Sequence, residues 1–299
     1  MTNDEAWPAL PLAAWRDTYA TLHMWTQIIG KVRLKLAPTV NHWWHVPLYV
    51  TSRGLTTTAI PYGGDTFDAT FDFHDHVLAL QTSTGRAETV ALRPRSVADF
   101  YHEVMTKLRR LGIDVRIWTL PSEYKNPIHF DKDEVHASYD AASAHRCWRI
   151  LLEADTILKQ FRSRFTGKVS PVQFFWGGFD LAVTRFNGRR NAKLSETADV
   201  ITREGYSHEV SSAGWWPGGG TSLTAPAFYS YASPEPDGFK TSRMPAPAYY
   251  SEEINNWLLP YDEVRTAADP RATVLEFLQS TYEAAANLGR WDRENLEYR

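Results

Sequence analysis

Side chains able to do chemistry gather in a few short stretches of this chain, each set among large aromatics. The first is Asn41-His42-Trp43-Trp44-His45. On a strand, alternate side chains share a face, so Asn41, Trp43 and His45 point one way and His42 and Trp44 the other. This spacing does not make a metal pair of the two histidines. His45 alone can act as an acid or base near neutral pH, or be held structurally beneath the tryptophans. Asp72, His74 and His76 alternate with Phe71, Phe73 and Asp75, and on an unbroken strand all three face one side. Imidazole and carboxylate together can ligate zinc, iron, nickel or manganese, which makes this trio the candidate metal site. A turn near Asp75 would scatter it.

The second half has more chemical contrast. Gly177 and Gly178 allow close backbone approach, Asp180 can accept a proton or bind a cation, and Arg185 is a fork suited to an anion. In one continuous strand Asp180 shares the parity of Phe174, Trp176 and Gly178 while Arg185 has the opposite parity, which argues against their pairing. His208 and Glu209 are candidates for acid–base work, although adjacent strand residues face opposite sides. They do not form the two-histidine helical metalloprotease pattern. Gly218-Gly219-Gly220-Thr221-Ser222 lacks the P-loop lysine and a following helix, so it does not read as a nucleotide-phosphate loop.

Trp44, Trp176, Trp215 and Trp216 can supply flat walls for a ligand, or simply fill a rigid core. The chain holds 12 Trp, 14 Tyr and 14 Phe, often clustered, so both readings stay open. A cavity joining Trp44, Trp176 and His208 is the expected mark of a binding site.

Elements must position these groups. Trp15, Tyr19, Leu22, Thr26 and Ile29 mark a helix ending near Gly30, and Val32, Leu34 and Leu36 then alternate as a strand. A second strand is expected from Trp43 to Thr51, with short strands over 55–60, 69–73 and 77–82. Phe100, Val104, Leu108 and Leu111 predict a helix closed by Gly112, followed by a strand through Ile113, Val115 and Ile117. Trp148 to Phe165 and Phe277 to Leu288 predict two more helices.

The order helix, strands, helix thus occurs twice. Gly30-Lys31-Val32 before Trp43–Thr51 is echoed by Gly167-Lys168-Val169 before Phe175–Val183. The expected fold is α+β, an internally duplicated unit of antiparallel strands packed against helices. The expected division is a first repeat over 1–120, a connection over 121–133 and a second repeat over 134–299, or one continuous domain.

Asn41-His42-Trp43-Trp44, Ser170 to Asp180, Ser207-His208-Glu209-Val210, Trp215-Trp216-Pro217-Gly218 and Phe228 to Pro236 are similar to the hallmarks of an uncharacterised bacterial family. The resemblance runs over nearly the whole chain and implies no activity. Trp215 stands where that family more often has Phe.

Composition limits the functions. With 43% hydrophobic and 22% charged residues the chain reads as a soluble globular protein. A formal charge of -3 with no basic block gives no reason to expect nucleic acid as a partner. Cys147 is the one cysteine, which excludes an intrachain disulfide and a cysteine-rich zinc site. No window is apolar enough to span a membrane and no signal peptide is evident, so a cytoplasmic location is expected. No pattern names a cofactor. Three functions remain: a small-molecule binding protein, an enzyme using His/Asp or His/Glu groups, and a structural homo-oligomer.

Overall fold

Leu12–Leu36 forms one 25-residue helix, α1, in the computed structural model, which describes residues 6–219 and 225–298. Gly220, Thr221 and Ser222 of the glycine-rich stretch lie outside the described residues. The strand expected through Val32, Leu34 and Leu36 is therefore the end of α1. Nothing breaks the helix before Pro38, and the glycine inside it has a packing role: the Trp176 indole occupies the space where a Gly30 Cβ would stand.

The chain then makes a 3-10 turn at Asn41–Trp43 in place of the expected long strand. His42 and Trp43 both have positive φ, 56° and 61°. Of the Trp43–Thr51 strand only Tyr49–Val50 survives, as β1. Gly54–Thr56 (β2), Ile60–Tyr62 (β3), Asp65–Asp72 (β4), Val77–Thr82 (β5) and Ala87–Ala91 (β6) complete an antiparallel sheet in the order β1-β2-β4-β5-β6, with β3 on β4. Helix α2, Val97–Arg110, is started by the Ser96 cap and packs beside β6. Ile113, Val115 and Ile117 join no strand; Ile113 N–H instead closes the helix end on Leu108 O.

The second unit repeats the plan. Helix α3, Ala141–Arg162, is capped by Asp140. Next come β7 (Gln173–Phe175), β8 (Asp180–Arg190), the short helix α4 (Val200–Gly205), β9 (His208–Trp216) and β10 (Ala227–Ser233). β11 (Tyr249–Ser251), β12 (Asn256–Pro260), α5 (Tyr261–Arg265) and α6 (Pro270–Leu288) follow. The sheet order is β11-β12-β10-β9-β8-β7, antiparallel throughout. The architecture is thus α+β with two similarly built sheet-and-helix units. Leu48 and Phe174 exchange N–H···O bonds of 2.9 and 2.8 Å, joining the β1 and β7 edges by a single bridge. No helix among the described residues is long and apolar enough to cross a membrane.

Candidate functional site

Strand alternation sorts the second sheet into two unlike faces. Leu181, Val183 and Arg185 of β8 and Ala213 and Trp215 of β9 are buried, on the face where α3 and α6 pack. The opposite face carries Gln173 and Phe175 of β7, Asp180, Ala182, Thr184 and Phe186 of β8, and Ser212 of β9. Tyr229 and Tyr231 of β10 complete it. Over this face lie the 3-10 turn with Trp43 and Trp44, α4 with the following Tyr206, and Glu123 from the connecting segment. Between them is a pocket of about 190 Å³.

Asp180 does not continue the β7 strand, because Trp176 to Phe179 form a hairpin turn and Phe175 pairs with Asp180. The turn resets the alternation, so Asp180 shares its face with Phe175 and Gln173 and not with Phe174 and Trp176. Tyr229 Oη donates to Asp180 Oδ2 across the intervening strand. Gly214, paired with both Ala182 and Tyr229, leaves room for this reach: a Cβ there would lie 2.6 Å from Tyr229 Oη and 2.0 Å from Leu181 O. Burial raises the Asp180 pKa to about 7, the Tyr229 bond opposes the rise and the Glu123 charge adds to it. Glu123 approaches from the other side of the turn, where a Gly177 Cβ would lie 2.3 Å from its Oε1. Desolvation of its carboxyl beside the turn raises its pKa as well, with the Asp199 charge adding to it, although the residue as a whole is exposed.

One polar stripe on α1 holds both carboxylate-bearing segments. His23, Gln27 and Lys31 are buried and spaced four apart, hence on one helix face. His23 Nε2 lies 2.8 Å from Gly177 O and 3.0 Å from Trp176 O, in the turn before Asp180. Gln27 clamps Ser122 with two bonds, its Nε2 donating to Ser122 O at 2.9 Å and its Oε1 accepting from Ser122 N at 2.8 Å. Lys31 Nζ donates to Leu120 O at 2.6 Å. Burial lowers the His23 pKa to about 4, so the ring is neutral and donates through Nε2.

A basic corner closes the other end. Lys168 Nζ lies 2.6 Å from His42 Nε2 and sits over the Trp44 and Phe186 rings, 5.4 and 4.9 Å from their centroids. An ammonium can only donate, so His42 Nε2 accepts and its Nδ1–H donates to Glu204 O at 3.1 Å. Burial lowers the His42 pKa, in keeping with a neutral ring. The His42 amide donates to Glu204 Oε1 at 2.7 Å and Trp43 Nε1 to Ile201 O at 3.1 Å, which ties the turn to α4.

Of the residues singled out from the sequence, Trp44 and Asp180 line this pocket. His208 stands just behind it, its ring 5.6 Å from His42, with burial and then Lys168 lowering its pKa. Glu209 faces away and is held by Arg189 and Asn187, which separates the His208–Glu209 pair. His45 is buried, with Nδ1 3.2 Å from the backbone N and O of Val40, and it folds the loop after α1. Trp176 is buried on the α1 side, donating to Val46 O at 2.9 Å, and the pocket lined by Trp44 is lined by neither Trp176 nor His208. Trp215 is buried on the helix-covered face, 6.3 Å from Tyr261, and Trp216 packs against the small Ala227, Tyr229, Leu258 cluster.

Arg185 is not an anion clamp. Its guanidinium lies 3.6, 4.2 and 5.1 Å from the ring centroids of Phe161, Tyr282 and Phe165 and donates to Phe161 O. Burial lowers its pKa to about 10, and it serves as a cation–π pin between sheet and helices.

The Asp72, His74, His76 trio is dispersed by a turn at 73–76. Asp72 accepts the amides of His74 and Asp75 and the Arg53 Nε, His76 bonds Tyr139 Oη at 2.9 Å, and His74 packs 4.8 Å from Trp148. Among the described residues no group of three or more His, Cys, Asp or Glu side chains is placed to hold a metal.

Glu123, Gln173, Tyr206, Tyr229 and Tyr231 were not selected by their sequence patterns. The alternation Tyr229, Tyr231 opposite Gly214, Ser212 becomes meaningful only with the strand register in hand, and Glu123 sits in an irregular connection with no periodic signal.

Residues 7–298 match the model of the family of unknown function DUF5996, and the chain belongs to that family. No curated protein and no solved structure matches it.

Proposed function

We propose that this protein binds a small molecule in the pocket on the open face of the second sheet, with Trp44 and Phe175 as apolar walls and Asp180 as the orienting group. The observation carrying this reading is the Asp180 carboxyl, enclosed among aromatics and bonded by Tyr229, with Glu123 brought up from a distant segment. Enclosing the Asp180 carboxyl costs free energy unless a partner compensates, and perturbed acids in a cleft mark functional sites. Two consecutive left-handed residues at the rim, His42 and Trp43, support the same reading, since such strain gathers at ligand sites. The volume suits a molecule of about one ring, below the roughly 300 Å³ at which drug-sized sites begin.

Protein-observed NMR with a set of neutral and charged single-ring fragments tests this. Fragments that bind should shift the indole N–H signals of Trp43 and Trp44, assigned through Trp43→Phe and Trp44→Phe. Fragment binding that leaves both signals in place, or no binding at all, would count against the pocket.

A second reading, proton transfer at Asp180, is favoured by its pKa near neutrality. A metabolite extract incubated with the wild type and with Asp180→Asn should then differ in a product. Identical extracts would remove that reading. A cytoplasmic setting and self-association belong to the proposal too, and sedimentation velocity reads the latter.

A further inference from the structure

We infer that the ligand of this pocket is a small organic cation, whose ammonium or amidinium group lies among Asp180, Glu123 and the Gln173 side-chain carbonyl. This rests on the reading of the pocket as a binding site and names the chemistry that the site selects.

The first ground is an imbalance of acceptors over donors. Asp180 and Glu123 approach the same turn, and neither belongs to an ion pair among the described residues. Apart from its own amide, Asp180 is offered one donor, the Tyr229 hydroxyl, while the two carboxyls together can accept several more. The nearby basic groups are otherwise engaged: Lys168 donates to His42, and Arg185 lies on the far side of the sheet.

An independent ground is Gln173. Its residue surface is 0% exposed, it lines the pocket, and its Oε1 has no hydrogen-bond partner. It pairs with Ala182, two residues along β8 from Asp180, so both side chains stand on the pocket face. An enclosed acceptor without a donor is unfavourable until one arrives. A ligand N–H group is such a donor, and so is an ammonium.

The walls add a third ground. Trp43, Trp44, Phe175 and Tyr206 surround the acceptors with aromatic surface, and ring faces attract cations, more strongly where water is excluded. A neutral donor would satisfy Gln173 but leave the carboxyl charges uncompensated. An anion would meet both of them.

Calorimetric titration of the full-length protein at pH 8 with benzylamine, benzyl alcohol and benzoate isolates charge at nearly constant shape. Benzylamine should bind about tenfold or more tighter than benzyl alcohol, and benzoate not at all. Asp180→Asn and Glu123→Gln should each weaken benzylamine without weakening benzyl alcohol, with a retained cooperative melting transition and wild-type circular dichroism as the folding control. Benzyl alcohol or benzoate binding as tightly as benzylamine, and lost in Trp44→Ala, would keep the pocket and overturn the cation. Tight benzylamine binding untouched by both carboxyl variants would also overturn it. If none of the three binds, the pocket reading falls and the cation inference with it.

Discussion

Asp180 shows how one carboxyl acquires its properties from two neighbours, the three groups standing on three different segments. β8 supplies the residue, β10 supplies the Tyr229 hydroxyl, and the connecting segment supplies the opposing Glu123 charge. Replacing Tyr229 by Phe removes the largest interaction that favours the ionised form, leaving the bond from Asp180's own amide. The Asp180 pKa, followed by carboxyl carbon chemical shift, should therefore rise above its value of about 7 in the Tyr229→Phe protein. An unchanged titration would mean that the hydroxyl bond does not govern this acid. Trp44 and Asp180 stood out in the sequence as an aromatic and an acid among glycines. Gln173 and Tyr229 did not, since a glutamine or tyrosine in a strand looks alike whether it faces a core or a cavity.

At the scale of elements, α1 matters less for its apolar face than for the stripe His23, Gln27, Lys31. Gln27→Ala breaks both bonds to Ser122, two part-buried contacts together contributing about 1–3 kcal/mol. Amide hydrogen exchange across 119–125 should then accelerate, while the β4–β5 hairpin keeps its protection. Equal acceleration everywhere would indicate general destabilisation instead. Arg185 predicts the reverse pattern. Arg185→Ala empties the cage of Phe161, Phe165 and Tyr282 and should lower stability by about 3 kcal/mol or more, with ligand affinity unchanged because the residue faces away from the pocket. Chemical denaturation and titration calorimetry read these two quantities separately.

The helices were legible because their apolar stripes repeat over many residues, as at Phe100, Val104 and Leu108. Short alternations misled. Val32, Leu34 and Leu36 fit a strand by parity, yet they end a helix in which Val32 is 2% and Leu34 37% exposed. Ile113 and Val115 are buried without a strand partner, because an alternating pattern records burial and not pairing.

Over the whole molecule, buried titratable groups of opposite kind should shape stability against pH. His23 has a folded pKa below its ordinary value, so its contribution is present above about pH 6.5 and is lost as pH falls toward about 4. Asp180 has a folded pKa above its ordinary value. Its contribution is fully present at low pH and is lost as pH rises from about 4 through about 7, with Glu123 and Tyr229 as the groups facing it. Relative to the wild type, Asp180→Asn should become more stable as pH rises over this range, by an amount on the order of 3 kcal/mol at most, since the pocket opening admits solvent. Thermal melts from pH 5 to pH 8 measure the divergence, and parallel curves would contradict it.

The sequence by itself determined the two-unit α+β plan, the presence of the four long helices, the absence of cysteine pairing and the membership in one family, because these rest on local periodicity, composition and motif. Tertiary structure alone decided the site. A four-residue turn reset the strand alternation before Asp180, strand register set Tyr229 across Gly214, and a helix from the first unit delivered Glu123 to the second sheet. Each of these joins residues far apart in the chain, and no local pattern of side chains encodes which of its two faces will be left open.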